Sequence, residues 1–188
     1  QSNFYIPTSN KSLDQSISIP GKRSINLPLG KVNITRPVKS LDVILRTCMS
    51  VNMLTQSKKR IFEKSKDEYT KRTLISIIKS INHAKNIFQN VKFKIFVIDH
   101  NSEKNQIKNM RNILDGSDIN FEILNLKLEE FSNQIKKINE EKKEVTSNQK
   151  SNMSNIHKSL LLSKEKSEDL VYLIEDDYIH QKDSISEM

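Results

Sequence analysis

The 188 residues are enough for one domain with a hydrophobic core, and 31 Lys and Arg against 23 Asp and Glu give a net charge of +8. The basic residues are scattered among acids, and with aromatic residues at 6% and no Trp the stacking surface of single-strand nucleic-acid binders is missing. The three glycines are not clustered, which argues strongly against a Walker A loop or a dinucleotide-binding Gly-x-Gly-x-x-Gly turn.

Residues 1–38 differ in composition from the rest of the chain. They are rich in Ser and Asn, contain all four prolines and show no sustained hydrophobic periodicity. We therefore predict an extended or disordered leader over residues 1–38 and one folded domain over residues 39–188.

Deletion of residues 1–38 is expected to leave the thermal unfolding transition nearly unchanged, because a segment of this composition adds little to a core. Circular dichroism melts of the shortened and full-length chains measure the effect. Loss of folding after the deletion would show that the leader packs on the core.

The remainder alternates between strand and helix patterns. Short apolar runs rich in β-branched residues predict strands at 41–47, 93–99, 119–126 and 170–174. Apolar residues at three- and four-residue spacing predict helices at 67–89, 103–114, 128–144 and 152–166. Gly116 is placed for a left-handed cap, and residues 146–151 read as a polar loop. The alternation predicts an α/β domain of three layers, α/β/α, with a mostly parallel sheet.

Polar side chains follow three of these strands. They are Arg46 and Thr47 on the first, Asp99 on the second, and Glu175, Asp176 and Asp177 on the last. We expect these three strands to be parallel neighbours, with residues 119–125 flanking them, so that the polar ends line one crevice. Asp99 could accept hydrogen bonds from a ribose or base, or cap the following helix.

The three consecutive carboxylates repel one another, and a divalent metal is the simplest relief. Glu175 and Asp177 would project to the same side of an extended segment and could share such an ion. A solvated acidic turn after a core strand is the alternative. Asn152 and Asn155 open a predicted helix whose N-terminus could face a phosphate, although capping explains Asn152 equally well.

The motifs at residues 41–47, 73–84, 97–103 and 170–180 resemble, in the same order, the nucleotide-binding half of GT-A glycosyltransferases of the family 2 type. The resemblance extends over residues 40–188. It is strongest at 171–180, which differs mainly by conservative apolar changes from the last strand of bacterial and phage-like members.

The resemblance implies a site for a nucleotide-diphospho-sugar donor. Asp99 would contact the nucleoside, Asp176 the donor ribose or sugar, and Arg46 and Thr47 would line the same site. Two departures weaken the match, since His100 replaces a second aspartate of the family and the loop after the first strand lacks the proline of many relatives.

The resemblance also implies that Glu175 and Asp177 hold Mn²⁺ or Mg²⁺ on the diphosphate. His180 follows the acidic motif and stays a candidate for a role near the donor or metal, although a packed histidine is the more ordinary reading. In the family, the acceptor site and any catalytic base would follow Met188. We therefore assign no catalytic residue, and this piece alone could be inactive.

The expected activity is that of a metal-dependent, hexosyltransferase-like glycosyltransferase acting on an unknown glycan, lipid or protein acceptor. A non-catalytic nucleotide-binding or interaction module with the same fold is the alternative, and only the net charge favours a nucleic-acid partner.

With Cys48 as the single cysteine, a reducing compartment is the default. No apolar run reaches the ~18 residues of a membrane span. We expect a cytoplasmic chain with no integral membrane segment, with peripheral membrane attachment left open.

Overall fold

The computed structural model describes residues 37–50, 64–135, 138 and 144–188. The predicted leader lies almost entirely outside these residues, and residues 38–188 group into one compact unit. The strands are β1 (Ser40–Thr47), β2 (Lys92–Asp99), β3 (Asn120–Asn125) and β4 (Leu170–Glu175). The helices are α1 (Lys66–Ile87), α2 (Lys104–Asp115), α3 (Ser147–Lys166), α4 (Ser184–Glu187) and a 3₁₀ helix (Leu128–Phe131).

The sheet is parallel throughout, in the order β3-β2-β1-β4. The prediction that the first, second and last strands are neighbours, with the third at their flank, is confirmed. Thr47 pairs with Asp99 and Arg46 with Glu175, so the predicted polar ends share one edge. The chain proceeds from β1 to β2 and β3 and then returns past β1 to β4. Its connections therefore change direction between β1 and β4, where open α/β sheets leave a crevice.

Helices cover both faces of the sheet, because the side chains of each buried strand alternate between two cores. Val43 and Leu45 of β1 pack in the larger core with α1, α2 and α4. Ile44, between them, faces the opposite side and packs in a second core with Leu162 of α3 and Phe131 of the 3₁₀ helix. This arrangement is the predicted α/β/α layering. No helix in the described part of the chain is long and apolar enough to cross a membrane.

The helix predicted over residues 128–144 is wrong. After the 3₁₀ helix the chain turns, and Ile138 forms an isolated bridge with Glu144. Phe131 is buried against the sheet, but Ile138 is exposed, so the apolar spacing that predicted the helix does not bury one continuous face. Residues 136, 137 and 139–143 lie outside the described part of the chain.

Two local predictions between the elements also fail. Residues 146–151 are not a loop, because Thr146 is the N-cap of α3, which begins at Ser147. Thr146 Oγ1 accepts a hydrogen bond from the Gln149 backbone amide at 3.2 Å, and the Gln149 side chain accepts one from the Thr146 backbone amide at 2.9 Å. Thr-x-x-Gln is the sequence signal of this capping box. Gly116 has φ −81° and is not left-handed. Asp118, at φ 52°, takes that conformation instead, and Lys85 of α1 donates to its carbonyl at 2.9 Å.

Candidate ligand-binding site

A cavity of about 580 Å³ opens at the carboxyl edge of the sheet, between β1 and β4. Its wall is made by the ends of these two strands, the first residue of α1 and the first turns of α3. The cavity therefore occupies the position where the topology changes direction, which is where ligands bind in open α/β sheets. Of the sequence-predicted residues, Arg46, Thr47, Glu175 and Asp176 line it.

Glu175 is neutralised by an arginine of the neighbouring strand. The register of β1 and β4 places Arg46 beside Glu175, and the guanidinium donates to Glu175 Oε1 at 2.5 Å and to Asn152 Oδ1 of α3 at 3.2 Å. The Arg46 side chain is 15% exposed and that of Glu175 is 47% exposed. The ion pair thus fixes a guanidinium in the cavity wall and leaves the glutamate partly open to solvent.

Asp176 turns inward where β4 ends and joins three elements. Its carboxylate accepts from Lys66 Nζ at 2.5 Å, from Thr70 Oγ1 at 3.0 Å and from the Cys48 amide at 3.5 Å. The side chain of Asp176 is 7% exposed and that of Lys66 is 16% exposed. Asp176 therefore ties the end of β1 and the start of α1 to the end of β4, and its contact with a donor sugar stays a prediction.

Asp99 is buried beside the cavity and holds the turn after β2. Its Oδ1 accepts from Thr47 Oγ1 at 2.6 Å and from Ser102 Oγ at 2.5 Å, and its Oδ2 accepts from the Ser102 amide at 3.1 Å. The helix cap is Glu103, paired with Gln106, so the capping interpretation of Asp99 is wrong. The predicted nucleoside contact of Asp99 is not tested by this geometry.

The two predicted metal ligands do not share an extended segment, because β4 ends at Glu175 and the next two residues form a turn. Among the residues that the structure describes, no group of three or more His, Cys, Asp and Glu side chains is placed to hold a metal. Proteins often hold Mg²⁺ through only one or two carboxylates plus the phosphates of a substrate. Asp177 is not among the described residues that line the cavity, and the metal role of Glu175 and Asp177 stays a prediction.

His180 lies on the α1 side of the sheet and is not among the described residues that line this cavity. Its backbone amide donates to Ser76 Oγ at 3.0 Å, and its Nε2 lies 3.0 Å from the Tyr172 hydroxyl. Burial lowers the pKa of His180 and raises that of Tyr172. The histidine thus docks the segment after the acidic motif onto α1.

Acidification is expected to weaken the fold through His180. The pKa of His180 is lower in the folded chain than the ordinary 6.5. At pH values between these two pKa values, the unfolded chain therefore binds more protons than the folded chain. The stabilisation that neutral His180 provides is complete above pH 6.5 and is lost as pH falls through the folded pKa. Thermal melts from pH 7.5 to 5 should show a smaller fall in Tm for His180→Gln than for the wild type. Parallel curves would contradict the assignment.

Cys48 is not suited to nucleophilic chemistry. Its Sγ lies 3.8 Å from His100 Nδ1, which is also 2.8 Å from Ser151 Oγ. Burial and, secondarily, the nearby Asp99 carboxylate raise the pKa of the Cys48 thiol, so the reactive thiolate is disfavoured.

A larger groove of about 690 Å³ follows α1 and the segment after β4, and Arg72, Lys79 and His180 are among its lining residues. None of its described lining residues belongs to a strand end, and we favour the smaller cavity because the polar ends of β1 and β4 meet there. Lys66 was not predicted as a site residue, because it carries no recognisable motif and enters the cavity wall only because α1 begins there.

Comparisons of the chain with models of protein families, with curated proteins and with solved structures find no match.

Proposed function

We propose that the chain is the donor domain of a GT-A type glycosyltransferase, which binds a nucleotide-diphospho-sugar at the carboxyl edge of the sheet and transfers the sugar to an acceptor. The observation that carries the proposal is the cavity between β1 and β4, which brings Arg46, Lys66 and the N-terminus of α3 to one place. The resemblance of residues 170–180 to the family's acidic motif supports the same ligand. The single cysteine favours a reducing compartment, and we place the activity in the cytoplasm.

The cavity is suited to a diphosphate for two reasons. α3 has 20 residues, and the first amides of a helix have no intrahelical acceptor and carry the positive end of its dipole. The Arg46 guanidinium offers five N–H donors, and its hydrogen bonds to Glu175 and Asn152 use two of them. Arg46 and Lys66 balance Glu175 and Asp176, so the α3 dipole adds a positive potential to an otherwise neutral set of charges.

Glu175 and Asp177 would hold the divalent ion in this proposal. Bound Mn²⁺ or Mg²⁺ would neutralise the negative charge that develops on the departing diphosphate. The chain's own residues position these ligands: Arg46 orients Glu175, while Lys66 and Thr70 hold Asp176 and thereby fix the start of the turn that carries Asp177.

A non-catalytic nucleotide-binding module is the second candidate. One observation favours it, because two of the three consecutive carboxylates already pair with Arg46 and Lys66. Such a module would bind the nucleotide in the same cavity without releasing nucleoside diphosphate from a nucleotide sugar.

Calorimetric titration with uridine or guanosine diphosphate tests the binding site. We expect saturable binding in Mn²⁺ that weakens in EDTA, and about tenfold weaker binding, or about 1.4 kcal/mol, for Arg46→Gln. Arg72→Gln is the matched control, because Arg72 pairs with Glu68 on α1 away from the cavity. No binding of either nucleotide by the wild type would refute both candidates. Release of nucleoside diphosphate from a nucleotide sugar then identifies the transferase.

A further inference from the structure

The groove of about 690 Å³ along α1 is lined by basic side chains without carboxylates. Arg72, Lys79 and Lys182 contribute positive charges, and His83 and His180 line the groove as well. No Asp or Glu is among its described lining residues. A lining of this kind favours an anionic partner, whereas acidic and basic side chains balance each other in the nucleotide cavity.

Two of these cations have no counter-charge in the described part of the chain. Arg72 pairs with Glu68 at 2.8 Å. Lys79 and Lys182, in contrast, are exposed and form no ion pair with another described residue. Lys79 belongs to α1 and Lys182 to the turn before α4, so the packing of this segment on α1 brings both charges to one groove. Their ammonium groups are therefore available to an anionic partner.

An aliphatic side chain protrudes in the same groove. Ile179 is 65% exposed, more than any other large apolar residue that the structure describes. The segment that carries it is held on α1, because His180 donates its backbone amide to Ser76 Oγ at 3.0 Å and Ile185 is buried. Ile179 is thus presented to solvent by an anchored segment.

Cations beside a protruding aliphatic side chain suit a lipid bilayer better than an acidic peptide. A peptide needs apolar pockets for its side chains, and only Ile75 and Ile179 are apolar among the described lining residues. A bilayer requires less, since anionic headgroups attract lysines and an apolar side chain inserts at the boundary between headgroups and acyl chains. Tyr178, which precedes Ile179 and is 52% exposed, has the amphipathic ring that is enriched at this level of a membrane.

We propose that this groove docks the chain on an anionic membrane surface, with Lys79 and Lys182 at the lipid phosphates and Ile179 inserted between the headgroups. The groove and the nucleotide cavity share no described lining residue, so the inference is independent of the proposed function. It assigns a surface for peripheral attachment to a chain in whose described part no helix can cross a membrane.

Sedimentation with lipid vesicles tests the contribution of the charges. We expect the full chain to bind vesicles in which one third of the phosphatidylcholine is replaced by phosphatidylglycerol, and to bind pure phosphatidylcholine much more weakly. Lys79→Gln/Lys182→Gln should bind the anionic vesicles at least tenfold more weakly, because each lysine near such a surface contributes about fivefold. Lys150→Gln/Lys164→Gln is the matched control. It removes the same charge from exposed positions of α3, on the opposite face of the sheet, and should bind nearly as well as the wild type.

Fluorescence tests the insertion of Ile179, because the chain contains no Trp. Ile179→Trp introduces a single tryptophan, whose emission should shift to shorter wavelength when anionic vesicles are added. Leu160→Trp is the control, since Leu160 is a 55% exposed apolar residue of α3 on the other face, and its emission should stay unchanged. A thermal melt checks that each variant is folded.

Several results would overturn the inference. If the wild type does not bind the anionic vesicles, or if the two double-lysine variants lose affinity equally, the groove is not a docking site. A shift for Leu160→Trp without one for Ile179→Trp would place the membrane at another face. If soluble polyglutamate binds through Lys79 and Lys182 and anionic vesicles do not compete with it, the groove is a site for an acidic peptide. The proposed nucleotide site is unaffected by each of these results.

Discussion

Asp176→Ala is expected to lower the free energy of unfolding by about 3 kcal/mol. Removing one member of a buried ion pair leaves the other charge uncompensated, which typically costs about 3–5 kcal/mol, and the partial exposure of Lys66 places this case at the low end. The variant also removes the acceptor of Thr70 and of the Cys48 amide. Urea denaturation followed by circular dichroism measures the change.

Glu130→Ala is the matched control, because Glu130 and Lys158 form a long, exposed pair of 3.9 Å whose loss should change stability little. Lys66→Met should also destabilise the chain by stranding the Asp176 carboxylate. Combining it with Asp176→Ala should cost less than the two separate effects added together, since no charge is then left alone. Equal stability of Asp176→Ala and Glu130→Ala would show that Asp176 does not hold the strand ends together.

Asp177→Asn is expected to weaken metal-dependent binding of a nucleoside diphosphate at least tenfold, or about 1.4 kcal/mol. The amide keeps the shape of the side chain but removes the negative charge with which a hard divalent cation is held. The fold should be retained, because the amide has nearly the same size as the carboxylate and the Lys66–Asp176 ion pair is left unchanged. The measurement is a calorimetric titration with nucleotide in Mn²⁺, repeated in EDTA.

Asp183→Asn provides the control for Asp177→Asn, because it makes the same change in charge at an exposed position before α4. It should bind nucleotide as the wild type does. If Asp177→Asn has the wild-type affinity in Mn²⁺, Asp177 is not a metal ligand. The three carboxylates at residues 175–177 are then better explained as a solvated acidic turn.

The four strands and the parallel sheet were predictable from the sequence alone. These follow from local patterns, since a run such as residues 41–47 is apolar on both sides and must be covered on both faces. The common edge of Thr47, Asp99 and Glu175 also follows, because parallel strands separated by helices end on the same side. The helix prediction failed for the charged segment after Phe131, where the residues favour a helix locally but do not bury a continuous apolar face.

How the charges at that edge are compensated depends on the packing of distant elements. From the sequence, Glu175, Asp176 and Asp177 are three adjacent carboxylates in need of a cation. The fold supplies Arg46 for Glu175 through strand register, and Lys66 for Asp176 through the position at which α1 begins. These partners are 129 and 110 residues away along the chain. Pairing over such separations depends on how the strands and helices pack, and so the pattern of neighbouring residues does not contain it.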